Sequence, residues 1–451
     1  MTESLLISGG RVLDPANGVD LASGDLLIRD GRVAAVGARL EADATRRIDA
    51  RGLVVCPGFV DLHTHLREPG FEYKETVETG TRAAARGGFT TVCAMPNTEP
   101  AMDSRATIDF VLRRAVERGA ARVLPIGCVT KGRQGKLLAE LAELASAGCV
   151  GFSDDGSPVA DPALMRHALE YAGGLRLPVI DHCEDPALAG GVMHEGWVAT
   201  RLGLKGIPSA SEESAIARDI ALARQTGAHV HIAHVSTAGG VDLVRRAKAE
   251  GVAVTAEVTP HHLALTHEAV MRRPDSVGLA PSTGSGPGYD TNAKMYPPLR
   301  DRSDVEACIA GLADGAIDAV ATDHAPHAVQ EKLCEFDAAA NGITGLETAF
   351  GLAMTVVHAG GLTFERLIEA LTIGPARALN LDRVVPGLGT LGIGAPGDVV
   401  LLDPGREWTV DPASFASKGK NTPLAGVALR GQVVATVYGG EVVWAEERVG
   451  A

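Results

Sequence analysis

The chain has 451 residues, of which 45% are hydrophobic and 22% are charged, and its formal net charge is −14 at pH 7. This composition is typical of a globular protein with a large core, and the negative charge argues against nucleic acid or an anionic membrane surface as a partner. A small anionic substrate stays compatible with this charge only if its binding site supplies local cations.

The cysteines, the first residues and the lengths of the apolar runs bear on the cellular compartment. The seven cysteines are odd in number and scattered, with no C-x-x-C pair, which indicates reduced thiols rather than a disulfide framework. The first ten residues lack the basic and apolar segments of a secretory signal. No apolar run reaches the ~18 residues that a membrane span requires. We therefore expect a cytoplasmic protein.

The two ends of the chain carry the same pattern. Residues 4–55, and the part from about 384 onwards, consist of short alternating apolar strands separated by Gly and Asp-Gly turns. This pattern predicts a small β-rich, sandwich-like domain that is built from both termini, over residues 1–55 and 380–451. Residues 56–379 then form a separate domain.

The middle of the chain alternates short apolar strands with longer helical stretches, such as 104–119 and 213–227, which is the βα pattern of a parallel sheet. Eight such repeats favour an α/β fold of the (β/α)8 TIM-barrel type over an open sheet. The predicted strands are 59–65, 90–97, 122–130, 149–155, 177–185, 229–237, 252–259 and 316–324.

Histidine, aspartate and asparagine side chains collect where these strands end. In a barrel the C-terminal strand ends converge on one mouth, where barrel enzymes keep their active sites. His63 and His65 lie one pleat apart, so they point the same way and can share one metal ion. Zinc accepts imidazole nitrogen and carboxylate oxygen. The candidate ligands, enough for two metals or for one metal and an acid–base, are His63, His65, Asp155, His182, His234 and Asp323.

Seven motifs resemble those of a known enzyme family. They are DLHTHLREPG (61–70), MPNTEP (95–100), FSDDGSPV (152–159), DHCED (181–185), HIAHVST (231–237), ATDHAPH (321–327) and NGITGLET (341–348). In these motifs the chain is similar to the cyclic amidohydrolases of the amidohydrolase superfamily, and among them to the type I bacterial dihydroorotases. The resemblance covers nearly the whole chain, including the split β-rich domain.

The resemblance implies a zinc-dependent enzyme of de novo pyrimidine biosynthesis that interconverts (S)-dihydroorotate and N-carbamoyl-L-aspartate. It implies one or two Zn²⁺ per chain on the six candidate ligands, with Asp323 as the catalytic acid–base. It further implies a homo-oligomer and aspartate carbamoyltransferase as a partner. The implied substrate contacts come from Arg67, Asn97 and His327, with Asn341 and Gly342 as further candidates.

Two positions bear on which enzyme of the family this chain resembles. Hydantoinases and allantoinases usually place a carboxylated lysine at the end of the fourth strand, whereas this chain has Asp154 and Asp155 there and no lysine nearby. We favour Asp155 as the ligand, because the family spacing fits it and Asp154 alternates to the other face. The family also has asparagine where this chain has Tyr296, so that substrate contact falls to Tyr296, to Asn292, or to neither if the substrate preference differs.

Two other functions stay open from the sequence. One is a different cyclic amidohydrolase, a hydantoinase, dihydropyrimidinase or allantoinase, against which Asp155 argues. The other is a non-catalytic dihydroorotase-like subunit of an aspartate carbamoyltransferase complex, against which the complete ligand set argues. Residues 275–291, rich in Gly, Ser and Pro, predict a flexible excursion, either a lid or a surface insertion without a role.

Overall fold

A computed structural model describes residues 4–272 and 288–447. Most of the predicted excursion over 275–291 therefore lies outside the described residues. Among the helices that the structure does describe, none combines the length and the apolar character needed to cross a bilayer.

The described residues form 17 strands and 12 α-helices. The strands are β1 (Ser4–Asp14), β2 (Val19–Arg29), β3 (Arg32–Gly37), β4 (Arg46–Asp49), β5 (Val54–Pro57), β6 (Phe59–Thr64), β7 (Phe89–Ala94), β8 (Arg122–Pro125), β9 (Val179–Asp181), β10 (Met193–His194), β11 (Gly206–Ile207), β12 (Val230–Ile232), β13 (Val254–Val258), β14 (Ala319–Val320), β15 (Val399–Thr409), β16 (Ala428–Tyr438) and β17 (Glu441–Ala445). The helices are α1 (Val77–Arg86), α2 (Arg105–Arg118), α3 (Leu141–Ser146), α4 (Pro162–Leu175), α5 (Trp197–Leu202), α6 (Ser209–Thr226), α7 (Ala238–Ala249), α8 (Pro260–Ala264), α9 (Arg302–Asp314), α10 (Ala349–His358), α11 (Phe364–Leu371) and α12 (Ile373–Ala378).

The two ends of the chain meet in one sheet. Strands β1 to β5 and β15 to β17 form eight strands in the order β17-β16-β15-β5-β1-β2-β3, with β4 beside β1. The ends join where β5 and β15 pair antiparallel, with Val55 opposite Leu401. Both residues pack, with Leu26, into an apolar cluster of this sheet. The apolar alternation seen at both termini thus serves a single shared core.

The middle of the chain has the predicted α/β architecture. Strands β6, β7 and β8 form one parallel sheet, and β9, β12, β13 and β14 form another. Single-residue bridges link the two sheets on both sides, at Gly127–Phe152, Phe152–Val179 and Thr64–His324. The predicted fourth strand, over 149–155, contributes only the bridging residue Phe152.

Several strands end earlier than the apolar pattern predicts. His234 and Asp323 have φ values of 35° and 44°, and Arg67, just after β6, has a φ of 62°. Such values lie outside the extended region, so the backbone leaves the sheet at or near the residues that form the site. Thus His65, His182, His234 and Asp323 lie just beyond their strands, whereas His63 lies within β6.

Apolar packing surrounds these strands. Val92, Val179 and Val230 belong to a cluster that the helices share, whereas Val60 and Ile180 belong to a second cluster. Burial on both faces explains why the strands read as near-continuous apolar runs. The helices predicted over 104–119 and 213–227 are confirmed as α2 and α6. Helix α2 begins at Arg105 because the Ser104 hydroxyl accepts the Thr107 N–H as an N-cap.

Candidate metal centre and active site

The end of β6, the segment after Phe152 and the turn after β14 bring two histidines against two aspartates. The Nε2 atom of His63 lies 3.3 Å from Asp155 Oδ1 and 3.6 Å from Asp323 Oδ1. The Nε2 atom of His65 lies 2.9 Å from Asp323 Oδ1 and 3.6 Å from Asp155 Oδ2. All four side chains are buried. His65 and Asp323, which are 258 residues apart in sequence, therefore meet at one point.

The other two predicted ligands, His182 and His234, also lie next to Asp155. His182 Nδ1 lies 3.6 Å and His234 Nε2 lies 3.5 Å from Asp155 Oδ1, and the two nitrogen atoms are 3.0 Å apart. Asp155 consequently contacts all four histidines. The structure thus brings together every residue of the predicted ligand set.

The donor atoms suit a metal ion. Within the predicted set, three groups have ligand atoms within 4.8 Å of one another: His63, His65 and Asp155; His63, His234 and Asp323; and Asp155, His182 and His234. His63 Nε2 is buried and has no hydrogen-bond partner among the described residues. A buried nitrogen with a free lone pair, next to two carboxylates, is what a zinc ligand requires. The residues present therefore fit zinc.

A buried glutamate fixes the tautomer of His63. His63 Nδ1 lies 3.0 Å from Glu257 Oε1, and His231 Nε2 lies 3.2 Å from the other oxygen. Burial opposes ionisation of Glu257, but hydrogen bonds from His231 and His63 lower its pKa to about 2. An ionised carboxylate can only accept, so His63 donates to Glu257 from Nδ1, and in the neutral, metal-binding form of the ring Nε2 carries the free lone pair. Sequence reasoning missed Glu257, although a glutamate inside the apolar run of β13 could have signalled it.

Asn97 orients His65 in the same way. Its Oδ1 accepts from His65 Nδ1 at 2.8 Å, and its Nδ2 donates to Asp155 Oδ2 at 3.4 Å. On the other side of the cluster, His182 Nε2 lies 3.5 Å from Glu184 Oε2. Neither Glu184 oxygen has a hydrogen-bond partner among residues 4–272 and 288–447. Each of these three histidines therefore has its non-clustered nitrogen next to an oxygen acceptor.

Both aspartates of the cluster are ionised at neutral pH. Burial acts to raise the pKa of Asp155, but the charge of His63 and hydrogen bonds from His182 and His234 hold that pKa well below its usual value. Burial likewise opposes ionisation of Asp323, and the charges and hydrogen bonds of His63 and His65 lower its pKa. The carboxylate form is the one that ligates a metal or accepts a proton.

The two adjacent aspartates have separate tasks. Asp154 turns away from the cluster, and its oxygens accept the Val129 N–H at 2.9 Å, the Thr130 N–H at 3.1 Å and the Thr130 hydroxyl. It therefore fixes the turn after β8, while Asp155 faces the histidines. Lys131 forms an ion pair with Glu140 at 3.1 Å, and half of its side chain is exposed. Lys131 is therefore a surface residue and not a ligand.

A cavity of about 270 Å³ opens beside the cluster. Of the predicted substrate contacts, Arg67, Asn97, His327, Tyr296 and Asn341 line it. The remaining lining residues are His65, Arg133, Asp155, Gly156, His182, Met295, Asp323 and Ala325.

The structure separates the two candidates for the missing asparagine contact. Tyr296 lies over His182, with ring centroids 4.6 Å apart, and burial together with the nearby Glu184 raises the pKa of its hydroxyl. Asn292 is not among the residues that line the cavity, and its backbone N–H donates to Asp290 at 3.0 Å.

Gly342 and Asn341 shape the wall on which His327 rests. Gly342 has a φ of 147°, and a Cβ there would approach Ala325 O to 2.7 Å and the His327 ring to 3.0 Å. The Asn341 carbonyl accepts from His327 Nε2 at 2.8 Å. Glycine is thus needed for the close approach of this loop.

Arg133 also lines the cavity. Sequence reasoning missed it, because it lies in a Lys-Gly-Arg-Gln-Gly turn that resembles an ordinary surface turn.

Comparison with solved structures agrees with this architecture. An L-hydantoinase (dihydropyrimidinase) from Arthrobacter aurescens matches with a TM-score of 0.86 and 26% identity, over 100% of this chain and 98% of the other. A dihydropyrimidinase from Brevibacillus agri NCHU1002 matches with a TM-score of 0.83 and 23% identity, over 99% and 96% of the two chains, and shows the shared fold. The fold is therefore that of the cyclic amide hydrolases.

Sequence relatives are more specific. A dihydroorotase from Anaeromyxobacter sp. (strain K) is 56% identical over 448 residues, 99% of each chain. A dihydroorotase from Geobacter sp. (strain M21) is 52% identical over 443 residues, 98% of this chain and 99% of the other. The family model described as Dihydro-orotase-like matches residues 52–239. This chain belongs to the dihydroorotase family.

Proposed function

We propose that the chain is a zinc-dependent dihydroorotase of type I, which interconverts (S)-dihydroorotate and N-carbamoyl-L-aspartate. The observation that carries the proposal is that Asp155 contacts all four histidines of the cluster beside an arginine-lined cavity. In hydantoinases and allantoinases the family pattern has a carboxylated lysine there. The 56% identity with a relative named dihydroorotase supports the same substrate.

The six clustered residues would hold one or two zinc ions, with the groups around Asp155 as the two halves of the site. When bound, zinc polarises the scissile carbonyl and lowers the pKa of water to about 7. Glu257 and Asn97 hold His63 and His65 in the tautomer and orientation that ligation needs.

Asp323 is the proposed acid–base. Its carboxylate is buried next to His65 and faces the cavity. It accepts the proton of the attacking water as the new C–O bond forms. It then donates that proton to the ring nitrogen as the amide C–N bond breaks, so the proton is conserved over the two steps. The lowered pKa keeps Asp323 ready to accept at neutral pH.

Arg67 is the proposed anchor of the substrate carboxylate. Its side chain is buried, donates to Pro326 O at 3.3 Å, and forms no ion pair within the described part of the chain. Burial first of all lowers its pKa to about 10, so the guanidinium stays charged at neutral pH. A planar guanidinium can bind a carboxylate with two parallel hydrogen bonds. Asn97 and His327 complete the proposed contacts from the cavity wall.

The proposal includes the fold expected from the sequence. The parallel strands and the bridges at Phe152 and Thr64 support a (β/α)8 barrel over residues 56–379, with a composite β-rich domain from residues 1–55 and 380–451. The expected homo-oligomer and the aspartate carbamoyltransferase partner stay predictions.

The test is hydrolysis of dihydroorotate by the purified protein, with zinc content measured on the same sample. Hydantoin, dihydrouracil and allantoin serve as competing substrates. We expect turnover of dihydroorotate with one or two zinc ions per chain and little turnover of the uncharged rings. A protein that contains zinc but prefers hydantoin or dihydrouracil would contradict the proposal, as would one that binds zinc and turns over none of them.

A further inference from the structure

We infer that Arg133 is a second arginine of the substrate site, which binds the carboxylate of the ring together with Arg67 and sets the preference for an anionic substrate. This inference rests on the proposed function. None of the sequence motifs includes Arg133, which follows β8 in the turn Lys131–Arg133.

The backbone of the turn that carries Arg133 is held in one conformation. Gly132 and Arg133 have φ values of 58° and 55°, the left-handed region that arginine rarely adopts. Asp154 holds the start of the turn through the backbone N–H groups of Val129 and Thr130. The surrounding contacts thus impose an unfavourable backbone conformation, which places the guanidinium at the cavity wall beside Asp155.

The contacts of Arg133 leave part of its guanidinium unused. Its Nη2 donates to the backbone carbonyl of Asp155 and to Ser157 Oγ, the latter at 3.0 Å. Its Nε is buried and has no acceptor among residues 4–272 and 288–447. No carboxylate of those residues forms an ion pair with it. A buried N–H group without an acceptor destabilises the free protein. A ligand that supplies an acceptor gains this hydrogen bond with little additional cost of desolvating the arginine.

The charge balance of the cavity points to an anion. Its two carboxylates, Asp155 and Asp323, face the histidine cluster. Arg67 and Arg133 line the same cavity without a carboxylate partner in the described chain. A ring with a carboxylate satisfies both cations, whereas an uncharged ring of similar size leaves two partly desolvated charges unpaired. The chain as a whole carries −14, so this local pair is what makes the site attractive to an anion.

A purely structural role makes a different prediction. If Arg133 only ties the 155–157 turn, its removal displaces Asp155. Zinc content then falls, and all ligands are affected equally. Binding measurements on charged and uncharged rings separate the two roles, because they report on recognition without requiring turnover.

The experiment compares Arg133→Met with Arg133→Lys and Arg67→Met. Arg176→Met is the matched control, because Arg176 is also a non-glycine residue with positive φ (58°) but is exposed at the end of α4. Zinc content, KM and kcat for dihydroorotate, and calorimetric binding of orotate and uracil are measured on each variant. Orotate and uracil differ by the carboxylate alone.

For Arg133→Met we expect a roughly 10- to 100-fold weaker binding of orotate and a similar rise in KM, as for the loss of one hydrogen bond to a charged group. The zinc content, kcat and uracil binding should change by less than about threefold, Arg133→Lys should recover part of the loss, and the control should match wild type. Unchanged orotate binding, equal losses for orotate and uracil, or loss of zinc would each overturn the inference. A wild-type protein without turnover counts against the proposed function alone, since orotate binding is scored independently.

Discussion

Asp155 is the residue on which the choice of function depends, because it contacts four histidines with a carboxylate that the sequence itself encodes. A carboxylated lysine in its place would need dissolved CO₂ to form. Asp155 needs none, and no lysine is among the described residues that line the cavity. The state of the site should therefore be independent of carbonate.

We predict that apo-protein reconstituted with zinc in CO₂-depleted buffer regains full activity without bicarbonate. The measurement is the initial rate with and without added bicarbonate at fixed zinc concentration. An enzyme that carries a carboxylated lysine, treated identically, serves as the positive control for CO₂ depletion. A clear stimulation of this protein by bicarbonate would show that a lysine is modified and that Asp155 does not supply the carboxylate in its place.

Asp323 should be separable from the other clustered residues by its effect on turnover. Asp323→Asn keeps the size of the side chain and removes the proton acceptor, so kcat should fall by roughly 10²–10⁴-fold, the usual range for positioned acid–base catalysis. Zinc content should change little, because Asp155 and the histidines remain. The control is Asp314→Asn, an exposed carboxylate paired with Arg245 at 2.9 Å, which should be nearly neutral. If Asp323→Asn keeps more than about a tenth of wild-type kcat, another group is the base.

Secondary structure elements were predictable to different extents. Some elements are visible in the local sequence. Burial on both faces gives the apolar runs of β6, β7, β12 and β13, and N-cap chemistry marks the start of α2. The strand predicted over 149–155 does not form as an extended strand, because only Phe152 makes bridges there. The positive φ values at His234 and Asp323 depend on contacts with distant segments, which no local pattern encodes.

The difference between local patterns and distant contacts also explains which site residues were predicted. Every predicted ligand lies in the cluster, because each is a polar residue that interrupts an apolar strand end. Arg133 and Glu257 were missed, because the first lies in a surface-type turn and the second matters only through contacts with His63 and His231. Asn421 was missed for another reason: it comes from the C-terminal part of the chain, between β15 and β16, and reaches the loops around His327.

Asn421 links these loops to one another. Its Nδ2 donates to Ala325 O at 3.0 Å and to Gly342 O at 2.9 Å, and its Oδ1 accepts the His327 N–H at 2.9 Å. The side chain is buried, so the three bonds have no solvent alternative. One amide thereby joins the loop after Asp323 to the loop of Asn341.

We predict that Asn421→Asp lowers both stability and substrate affinity. A carboxylate cannot donate to Ala325 O and Gly342 O, and unpaired buried carbonyls cost about 1–3 kcal/mol each. The melting temperature should fall by several degrees and KM should rise, while the zinc content stays close to wild type. Asn380→Asp, at an exposed turn, is the control for the same chemical change. A variant with normal KM and melting temperature would show that Asn421 does not position the cavity wall.

The metal cluster joins parts of the molecule that are far apart in sequence. Its residues come from the end of β6, from the region of Phe152, and from the segments that follow β9, β12 and β14. These are the positions where two separate parallel sheets are linked only by single bridges. A zinc ion held there would act as a cross-link at the weakest part of the strand arrangement, so its removal should affect the stability of the whole middle segment.

We predict that chelation lowers the melting temperature and that zinc restores it in proportion to the logarithm of its free concentration. Ligand linkage gives about 1.4 kcal/mol of stabilisation for each tenfold rise in zinc above its dissociation constant. Thermal unfolding is measured across a zinc titration, in the wild type and in the double variant His63→Ala, His65→Ala. The double variant should lose activity and most of the zinc response. Among the described residues, two groups outside this cluster also have ligand-type atoms within 4.8 Å of one another: His194 with Asp301 and Asp304, and Asp181 with Cys183 and Asp219. A full zinc response that persists in the double variant but disappears in Asp304→Asn would place the stabilising ion at the His194 group instead.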